Sequence, residues 1–253
     1  MNITALSSLS GVIERRLLIN YRVDPEAIAA VLPPPFEPTL VGGDAIAGIC
    51  LIQLRVGPSW LPDRVGVRSS NGAHRIAVTL PDGSEAVYVP RRDSDSVINT
   101  LIGGRLFPGK HHRATITSED SGSRVAVELN SYDDSTRVSV AATTTDHLPA
   151  NSVFASVQEV SDFFEAGSFG YSDTGTAGRY DCLELRAKNW AVTPLAVEHV
   201  ESTFFDDRSR FGVGVAELDN ALLMRDIHHS WHSHRQMAST DNASRAVVRC
   251  SNR

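Results

Sequence analysis

The sequence predicts a mainly β protein of the α+β class, in which one large antiparallel sheet carries a few short helices. Three observations support this prediction. Apolar and polar residues alternate over several stretches, as they do in strands with one buried face. Turn-forming residues such as Pro81-Asp82-Gly83-Ser84 separate these stretches. With 253 residues, of which 42% are hydrophobic, the chain is long enough for one domain with a substantial core, which we place at residues 11–234.

A strand, a short helix and a second strand are predicted in the N-terminal part of the chain. Residues 11–23 alternate between apolar and polar side chains, which predicts the first strand. Asp24-Pro25 supplies an N-cap and a proline at the first helical position, and the prolines at 33–35 end that helix. Residues 45–56 are apolar at nearly every position, which predicts a strand buried on both faces, and Gly48 indicates a bend or a close approach.

A β-hairpin and a second helix are predicted next. Residues 71–80 and 85–90 flank the turn and form the two strands of the hairpin. Arg91-Arg92-Asp93 follows the second strand. Asp93 or Ser94 is the predicted N-cap of a helix that has apolar residues at helical spacing from 97 to 102.

The second half of the chain begins with a predicted meander of three strands, HHRATITS, SRVAVELN and TRVSVAATT, between residues 111 and 144. The longest helix and further strands follow this meander. The remaining predicted elements are a helix over 151–166 with Ser152 as N-cap, a glycine-rich loop over 167–178, strands over 182–192, 195–205 and 216–227, and a poorly ordered tail over 235–253. Residues 1–10 are predicted to be an N-terminal extension.

Composition and motifs exclude several classes of function. The formal charge of −6 and the scattered arginines leave no basic stripe, so no nucleic-acid partner is predicted. No apolar run reaches the ~18 residues of a membrane span, which predicts no membrane partner and favours the cytoplasm. Three cysteines without a CxxC pair predict free thiols at Cys50, Cys182 and Cys250. Dinucleotide, phosphate-loop and hydrolase-elbow motifs are absent, and no cofactor is predicted.

Lys110 is the main candidate for a catalytic residue. It is one of only two lysines in the chain, and it lies between Phe107-Pro108-Gly109 and His111-His112. An amine is a nucleophile only when it is deprotonated, and burial against Phe107 or positive charge on the neighbouring His and Arg side chains would lower the lysine pKa. The alternative interpretation is a loop lysine beside a tight turn.

Two arginines and a histidine are candidates for substrate binding. Arg91 and Arg92 are predicted at a strand end before a helix N-terminus, where guanidinium and backbone N–H groups together can hold a carboxylate or phosphate. The alternative is a solvated charge pair with Asp93 and Asp95. His74 lies on a hairpin strand, where it either places a polar group inside the barrel or is a satisfied, half-buried histidine.

A histidine-rich stretch, IHHSWHSH, contains His228, His229, His232 and His234. Imidazoles bind zinc, copper and nickel, and on a strand three of the four would share a face. Only Asp226 adds a carboxylate nearby, which favours a structural role or adventitious binding. No metal site is predicted, and the sequence leaves open whether the stretch binds a metal.

Five segments carry a resemblance to a known family: INYRVDPEAIAAVLPPPFEP, GGRLFPGK, SVFASVQEVSDFFEAGSFGYS, LELRAKNW and VESTFFDD. They resemble the acetoacetate decarboxylase superfamily, and more closely its branch called DUF2071 or YqjF-like. The similarity extends over residues 11–232. It implies an acetoacetate decarboxylase-like antiparallel β-barrel with a few peripheral helices and an internal cavity.

The resemblance also implies a chemistry for Lys110. In the decarboxylases, a lysine after an aromatic-proline pair forms a Schiff base with a β-keto acid, and an adjacent lysine lowers its pKa. In the matching segment Phe107-Pro108-Gly109-Lys110, the first lysine position is Gly109 and Lys110 matches the second. The family's acidic residues are not matched clearly, because Ala47 and its neighbours occupy the position of an expected glutamate, and Glu14-Arg15 only approximates the arginine region.

Three functions are therefore compatible with the sequence. The leading one is a decarboxylase-like lyase or related carbonyl-processing enzyme that acts on a small keto acid. Lys110 would be its nucleophile or general base, and Arg91, Arg92, His74 and His111 would bind an anionic substrate. The alternatives are a non-catalytic barrel that binds a small molecule, and an isomerase or cyclase that uses acid–base groups without a covalent intermediate. The sequence leaves the substrate and homo-oligomerisation open.

Overall fold

The computed structural model of the protein describes residues 8–57, 66–96, 111–212 and 214–239. Several predictions fall outside the described residues, among them the free thiol of Cys250, residues 1–7 of the N-terminal extension and residues 240–253 of the tail. The predicted helix over 97–102 lies outside the described residues, and so does Lys110 with the Phe-Pro-Gly segment before it.

Strands dominate the described part of the chain, and they form one 13-stranded sheet. The first six are β1 (Ser8–Val23), β2 (Glu37–Pro38), β3 (Leu40–Val41), β4 (Asp44–Gly57), β5 (Val67–Thr79) and β6 (Glu85–Ser94). The others are β7 (His111–Asp120), β8 (Arg124–Ser131), β9 (Arg137–Thr144), β10 (Phe169–Asp173), β11 (Arg179–Ala187), β12 (Thr193–Ser202) and β13 (Ala216–Ala238).

The strand pairings close two rings that share β13, β1, β4, β5 and β6. β7, β8, β9 and β12 complete one ring. β10 and β11 complete the other, because β10 pairs with β6 and β11 pairs with β13. The mainly antiparallel architecture confirms the predicted fold class. The contacts of β6 with β7 and β10 are parallel, which the sequence pattern did not indicate.

Both faces of the shared strands are buried, each in its own apolar core. On β1, Leu17 and Ile19 face one core and Leu18 faces the other, and each of the three is 0% exposed. Truncation of one such side chain to alanine would cost about 2–5 kcal/mol. Burial on both faces explains the nearly continuous apolar run of β4. Gly48 in this strand is approached closely, as predicted, since an added Cβ would clash with the carbonyl oxygen of Ile19.

Three helices are described, α1 (Pro25–Val31), α2 (Val157–Ala166) and the single turn α3 (Arg208–Phe211). α1 has the predicted cap, with Asp24 Oδ1 accepting hydrogen bonds from the backbone N–H groups of Glu26 and Ala27 at 2.9 and 3.0 Å. The predicted start of α2 is wrong. Ser156 caps this helix, whereas the Ser152 hydroxyl donates a hydrogen bond of 2.7 Å to Asp219 and so anchors the preceding segment to β13.

Three strands differ from the prediction. β10 lies within the predicted glycine-rich loop, where pairing with β6 and β11 on its two sides outweighs the weak local strand propensity. β13 extends through the histidine-rich stretch to Ala238, because it pairs with both β1 and β11. β6 continues to Ser94, so Arg91 and Arg92 are strand residues and do not precede a helix directly.

Candidate functional site

A cavity lies inside the ring that β10 and β11 complete. It consists of two adjoining hollows of about 50 and 80 Å³. The hollows share six lining residues, Cys50, Ile52, Ala73, Arg92, Leu183 and Trp231. Asn71, Asp93 and His111 line the first hollow, and Arg16, Arg75 and Phe164 line the second.

Strand register explains why residues so distant in sequence line one cavity. Side chains of directly paired residues point to the same face of a sheet. Cys50 on β4 is paired with Ala73 on β5, and Ala73 is paired with Arg92 on β6. Arg16 on β1 is paired with Ile52 on β4. Because side chains alternate along each strand, Arg16 of β1, Cys50 of β4 and Arg92 of β6 all face the cavity.

Three arginines give the cavity its charge, and each contacts neutral groups. Arg16 Nε donates a hydrogen bond of 3.1 Å to Cys50 Sγ. Arg75 donates a hydrogen bond from Nη2 to Asn20 Oδ1, and its Cζ lies 4.3 Å from the ring centroid of Phe164. Arg92 Nη2 donates a hydrogen bond of 3.1 Å to Ser172 Oγ.

None of these three guanidinium groups forms an ion pair with a carboxylate of the described residues. Each also has a buried nitrogen for which that part of the chain supplies no hydrogen-bond acceptor: Arg16 Nη1, Arg75 Nε and Arg92 Nε. Burial lowers the pKa of Arg75 and of Arg92 to about 10. Both side chains therefore stay charged at neutral pH. A buried charge without a partner costs several kcal/mol, so the arrangement favours entry of an anion.

His111 is the residue of the cavity nearest in sequence to Lys110. It is the first residue of β7, it is paired in parallel with Arg92, and it is half-buried in the wall of the first hollow. Lys110 itself lies outside the described residues. The backbone thus brings the residue after Lys110 beside Arg92, which the sequence did not predict.

Arg91 lies on the other face of β6 and has carboxylate partners. Its Nη2 is 2.7 Å from Asp93 Oδ1 and 3.0 Å from Asp133 Oδ1, and its Nη1 donates a hydrogen bond of 2.6 Å to Ser135. His112 Nδ1 lies 3.0 Å from the same Asp133 carboxylate. Burial alone would lower the Arg91 pKa, but the bonds to Asp93 and Asp133 raise it overall. Arg91 borders a separate hollow of about 450 Å³.

His74 lies on the same face as Arg91, its register partner on β6. Its side chain is 2% exposed and packs against Phe204, with ring centroids 4.6 Å apart. His74 is not among the described residues that line either hollow of the arginine cavity. Of the predicted site residues in the described part of the chain, Arg92 and His111 thus share a cavity, whereas Arg91 and His74 lie on the opposite face.

The histidine-rich stretch belongs to β13, and its members have separate surroundings. His234 Nε2 lies 2.8 Å from Glu184 Oε2, and His232 Nε2 lies 2.8 Å from Ser230 Oγ. His229 is 2% exposed. Within the described ranges, no group of three or more His, Cys, Asp or Glu side chains is arranged to hold a metal ion.

Sequence reasoning missed Arg16, Cys50, Arg75 and Trp231 as members of the site. A signal existed for two of them. Arg15-Arg16 and His74-Arg75 are polar pairs inside strands, and in each pair the alternation of side chains sends one member to each face. Deciding which member faces a cavity requires knowledge of the partner strands.

The fold and the site define a class of protein, in which rings of strands enclose a small cavity lined by three arginines. The model of the DUF2071 family, described as an uncharacterized conserved protein, matches residues 12–213. The chain therefore belongs to the DUF2071 family. No curated protein matches it.

Solved structures of acetoacetate decarboxylase-like proteins share this fold. The acetoacetate decarboxylase of Legionella pneumophila has a TM-score of 0.55 and 11% identity, and the match covers 92% of this chain and 87% of that one. An acetoacetate decarboxylase-like enzyme of Sphingomonas wittichii RW1 has a TM-score of 0.54 and 14% identity, with 92% of each chain covered.

A third similar structure is the enduracididine biosynthesis enzyme MppR, complexed with the condensation product of pyruvate and imidazole 4-carboxaldehyde. Its TM-score is 0.56 and its identity 16%, over 92% of this chain and 89% of that one. These likenesses confirm the predicted acetoacetate decarboxylase-like fold. In the part of the chain that the structure describes, no helix is long and apolar enough to cross a membrane.

Proposed function

We propose that this protein is an acetoacetate decarboxylase-like enzyme that binds a small keto acid or related anionic carbonyl compound in the arginine cavity. Lys110 is the reacting amine in this proposal, and Arg92 and His111, which line the first hollow, bind the substrate. The carboxylate of the substrate lies against Arg16, Arg75 and Arg92. Arg91 and His74 support the site from the opposite face of the sheet.

One observation carries the proposal. Three guanidinium groups, each with a buried nitrogen and none with a carboxylate partner among the described residues, line one cavity, which the residue after Lys110 also lines. Charged hydrogen bonds from guanidinium groups to carboxylates are strong because both partners are ionised. A bound carboxylate would supply the acceptors that Arg16, Arg75 and Arg92 lack. The structure of MppR, which was determined with a condensation product of pyruvate bound, supports a keto acid as the type of ligand.

The chemistry follows from an amine that meets a carbonyl group. The deprotonated Lys110 Nζ attacks the carbonyl carbon to give a carbinolamine, which takes up one proton from solvent, loses water and forms a protonated Schiff base. This cation accepts the electron pair of a bond at the neighbouring carbon, either from a departing carboxylate as CO₂ or from a C–H bond whose proton is removed. Guanidinium charges beside an amine disfavour its protonated form and lower its pKa.

Borohydride trapping tests the amine. The full-length protein is incubated with acetoacetate or pyruvate, reduced, and analysed by intact mass and peptide mapping. We expect one reduced adduct, located at Lys110, and no adduct in Lys110→Met. Lys188→Met is the matched control, because Lys188 is the only other lysine, is exposed, and lies outside the cavity lining.

Retention of the adduct in Lys110→Met, or its absence from wild type with both acids, contradicts the Schiff base. In the second case, an increase in melting temperature with the same acids favours the non-catalytic binding protein. The mismatch at Gly109 is the observation that supports this alternative. A ligand that binds only the folded state raises the melting temperature by mass action.

A further inference from the structure

Cys50 differs from an ordinary buried cysteine in what surrounds it. Its sulfur accepts a hydrogen bond of 3.1 Å from Arg16 Nε, and its side chain lines both hollows of the cavity together with Arg92. Arg75 lines the second hollow and is only 6% exposed, and its buried Nε has no hydrogen-bond acceptor in the described chain. Positively charged neighbours are typical surroundings of reactive cysteines.

Cys182 provides a comparison within the same chain. It is 1% exposed, belongs to the other apolar core, and lines neither hollow. Cys50 is also largely buried, at 5% exposed, but its face of β4 borders the cavity. The two thiols therefore differ in their access to a ligand and in the charge that surrounds them.

We propose that Cys50 is a nucleophile that reacts with small carboxylates carrying an electrophilic carbon, and that Arg16, Arg75 and Arg92 bind the carboxylate of the reagent. With a haloacetate, the Cys50 thiol first releases its proton to solvent. The sulfur then forms a bond to the methylene carbon, and the carbon–halogen bond breaks with loss of halide. This reaction needs neither Lys110 nor an oxidant.

The charge of the cavity makes a specific prediction about reagent choice. Iodoacetate and iodoacetamide form the same kind of S–C bond, but only iodoacetate carries a negative charge. In an unfolded chain the anionic reagent has no guanidinium groups held in place to attract it. Inside the cavity, the guanidinium groups of Arg16, Arg75 and Arg92 raise its local concentration and hold its carboxylate.

The experiment compares the two reagents on folded and unfolded protein. The rate constant for alkylation of Cys50 is measured by peptide mapping for each reagent, in native buffer and in urea. For Cys50, we expect the ratio of the iodoacetate rate constant to the iodoacetamide rate constant to be at least about tenfold higher in the folded protein than in the unfolded protein. This factor is equivalent to about 1.4 kcal/mol. Unfolded Cys50 is the reference, and Cys182 should react only after unfolding.

Two variants test the role of the arginines. Arg75→Met should bring the folded ratio close to the unfolded ratio, whereas Arg124→Met should leave it unchanged, since Arg124 forms an exposed pair with Glu198. If Arg75→Met does not fold, wild type in about 1 M NaCl, where screening acts within roughly 3 Å, should show the same decrease.

An equal ratio in folded and unfolded wild type, or a folded Cys50 that reacts with neither reagent, overturns the proposal. A raised ratio that neither Arg75→Met nor high salt reduces also overturns it. Cys50 alkylation and Lys110 trapping appear on different peptides, so failure of one proposal is distinguishable from failure of the other.

Discussion

Arg91 and Arg92 are neighbours on β6, yet their charges are balanced in different ways. Arg91 forms ion pairs with Asp93, which also borders the first hollow, and with Asp133, which borders neither hollow of the cavity. Arg92 contacts Ser172 and has no carboxylate partner among the described residues. The Arg91 cluster, which consists of Arg91, Asp93 and Asp133, contributes to the stability of the folded chain. The Arg92 guanidinium group, in contrast, is available to bind an anionic ligand.

The comparison shows that an arginine's role depends on the face of the strand it occupies. A buried ion pair is costly to break, because removal of one partner leaves the other charge uncompensated. A buried charge without a partner weakens the fold by itself, and such groups are common at functional sites. Three changes would break or sharpen this contrast.

The largest effect is expected from Arg91→Met. This change leaves Asp93, whose side chain is 1% exposed, without its closest cation, and it should lower the free energy of unfolding by about 3–5 kcal/mol. Urea unfolding followed by circular dichroism measures the change. A loss below about 1 kcal/mol would mean that the Arg91 cluster behaves as a solvated surface pair.

The next effect concerns pH and His229, which is buried on β13. Burial lowers its pKa from 6.5 to about 4. Between these pH values the unfolded chain binds the proton and the folded chain does not, so stability is present above pH 6.5 and is lost as pH falls toward 4. The loss should be roughly 2–3 kcal/mol.

Unfolding free energies measured from pH 7.5 to 4 in wild type and His229→Gln test this expectation. The glutamine variant cannot take up this proton, so its curve should be flatter by that amount. Parallel curves would show that His229 titrates alike in the folded and unfolded chains.

The smallest effect on stability, and the opposite sign, is expected for Arg92→Met. Removal of a charge that lacks a carboxylate partner among the described residues should leave stability unchanged or raise it by about 1 kcal/mol, despite loss of the Ser172 contact. The same variant should lose about ten- to a hundredfold in affinity for pyruvate or acetoacetate, because one charged hydrogen bond is missing. Melting temperatures with and without the acids measure both quantities. A destabilisation as large as that of Arg91→Met would remove the contrast.

Local sequence was sufficient for elements whose stabilising contacts are also local. Asp24-Pro25 places the start of α1, because the capping carboxylate binds N–H groups two and three residues later. The turn at 81–84 places the hairpin, since Gly83 has the positive φ of 83° that glycine adopts readily. The family resemblance of five sequence segments likewise indicated the fold without any knowledge of strand pairing.

Local sequence was insufficient wherever the deciding partner is distant. β10 depends on pairing with β6, in which Gly170 is paired with Val87, a residue more than 80 positions earlier in the chain. The start of α2 depends on the hydrogen bond between Ser152 and Asp219. The sequence predicted Arg91 and Arg92 as one anion site. In the structure, Asp133 compensates the charge of Arg91, whereas the ring of strands places Arg92 in the cavity with Cys50 and His111.

The sequence by itself determined the strand-rich class, the first helix, the hairpin, the meander and the rarity of lysine. These follow from side-chain alternation, capping and turn chemistry, which act over a few residues. Only the tertiary structure decided which arginines face the cavity and which are compensated. Register and ring closure set the burial and charge of a side chain through residues that lie tens of positions away.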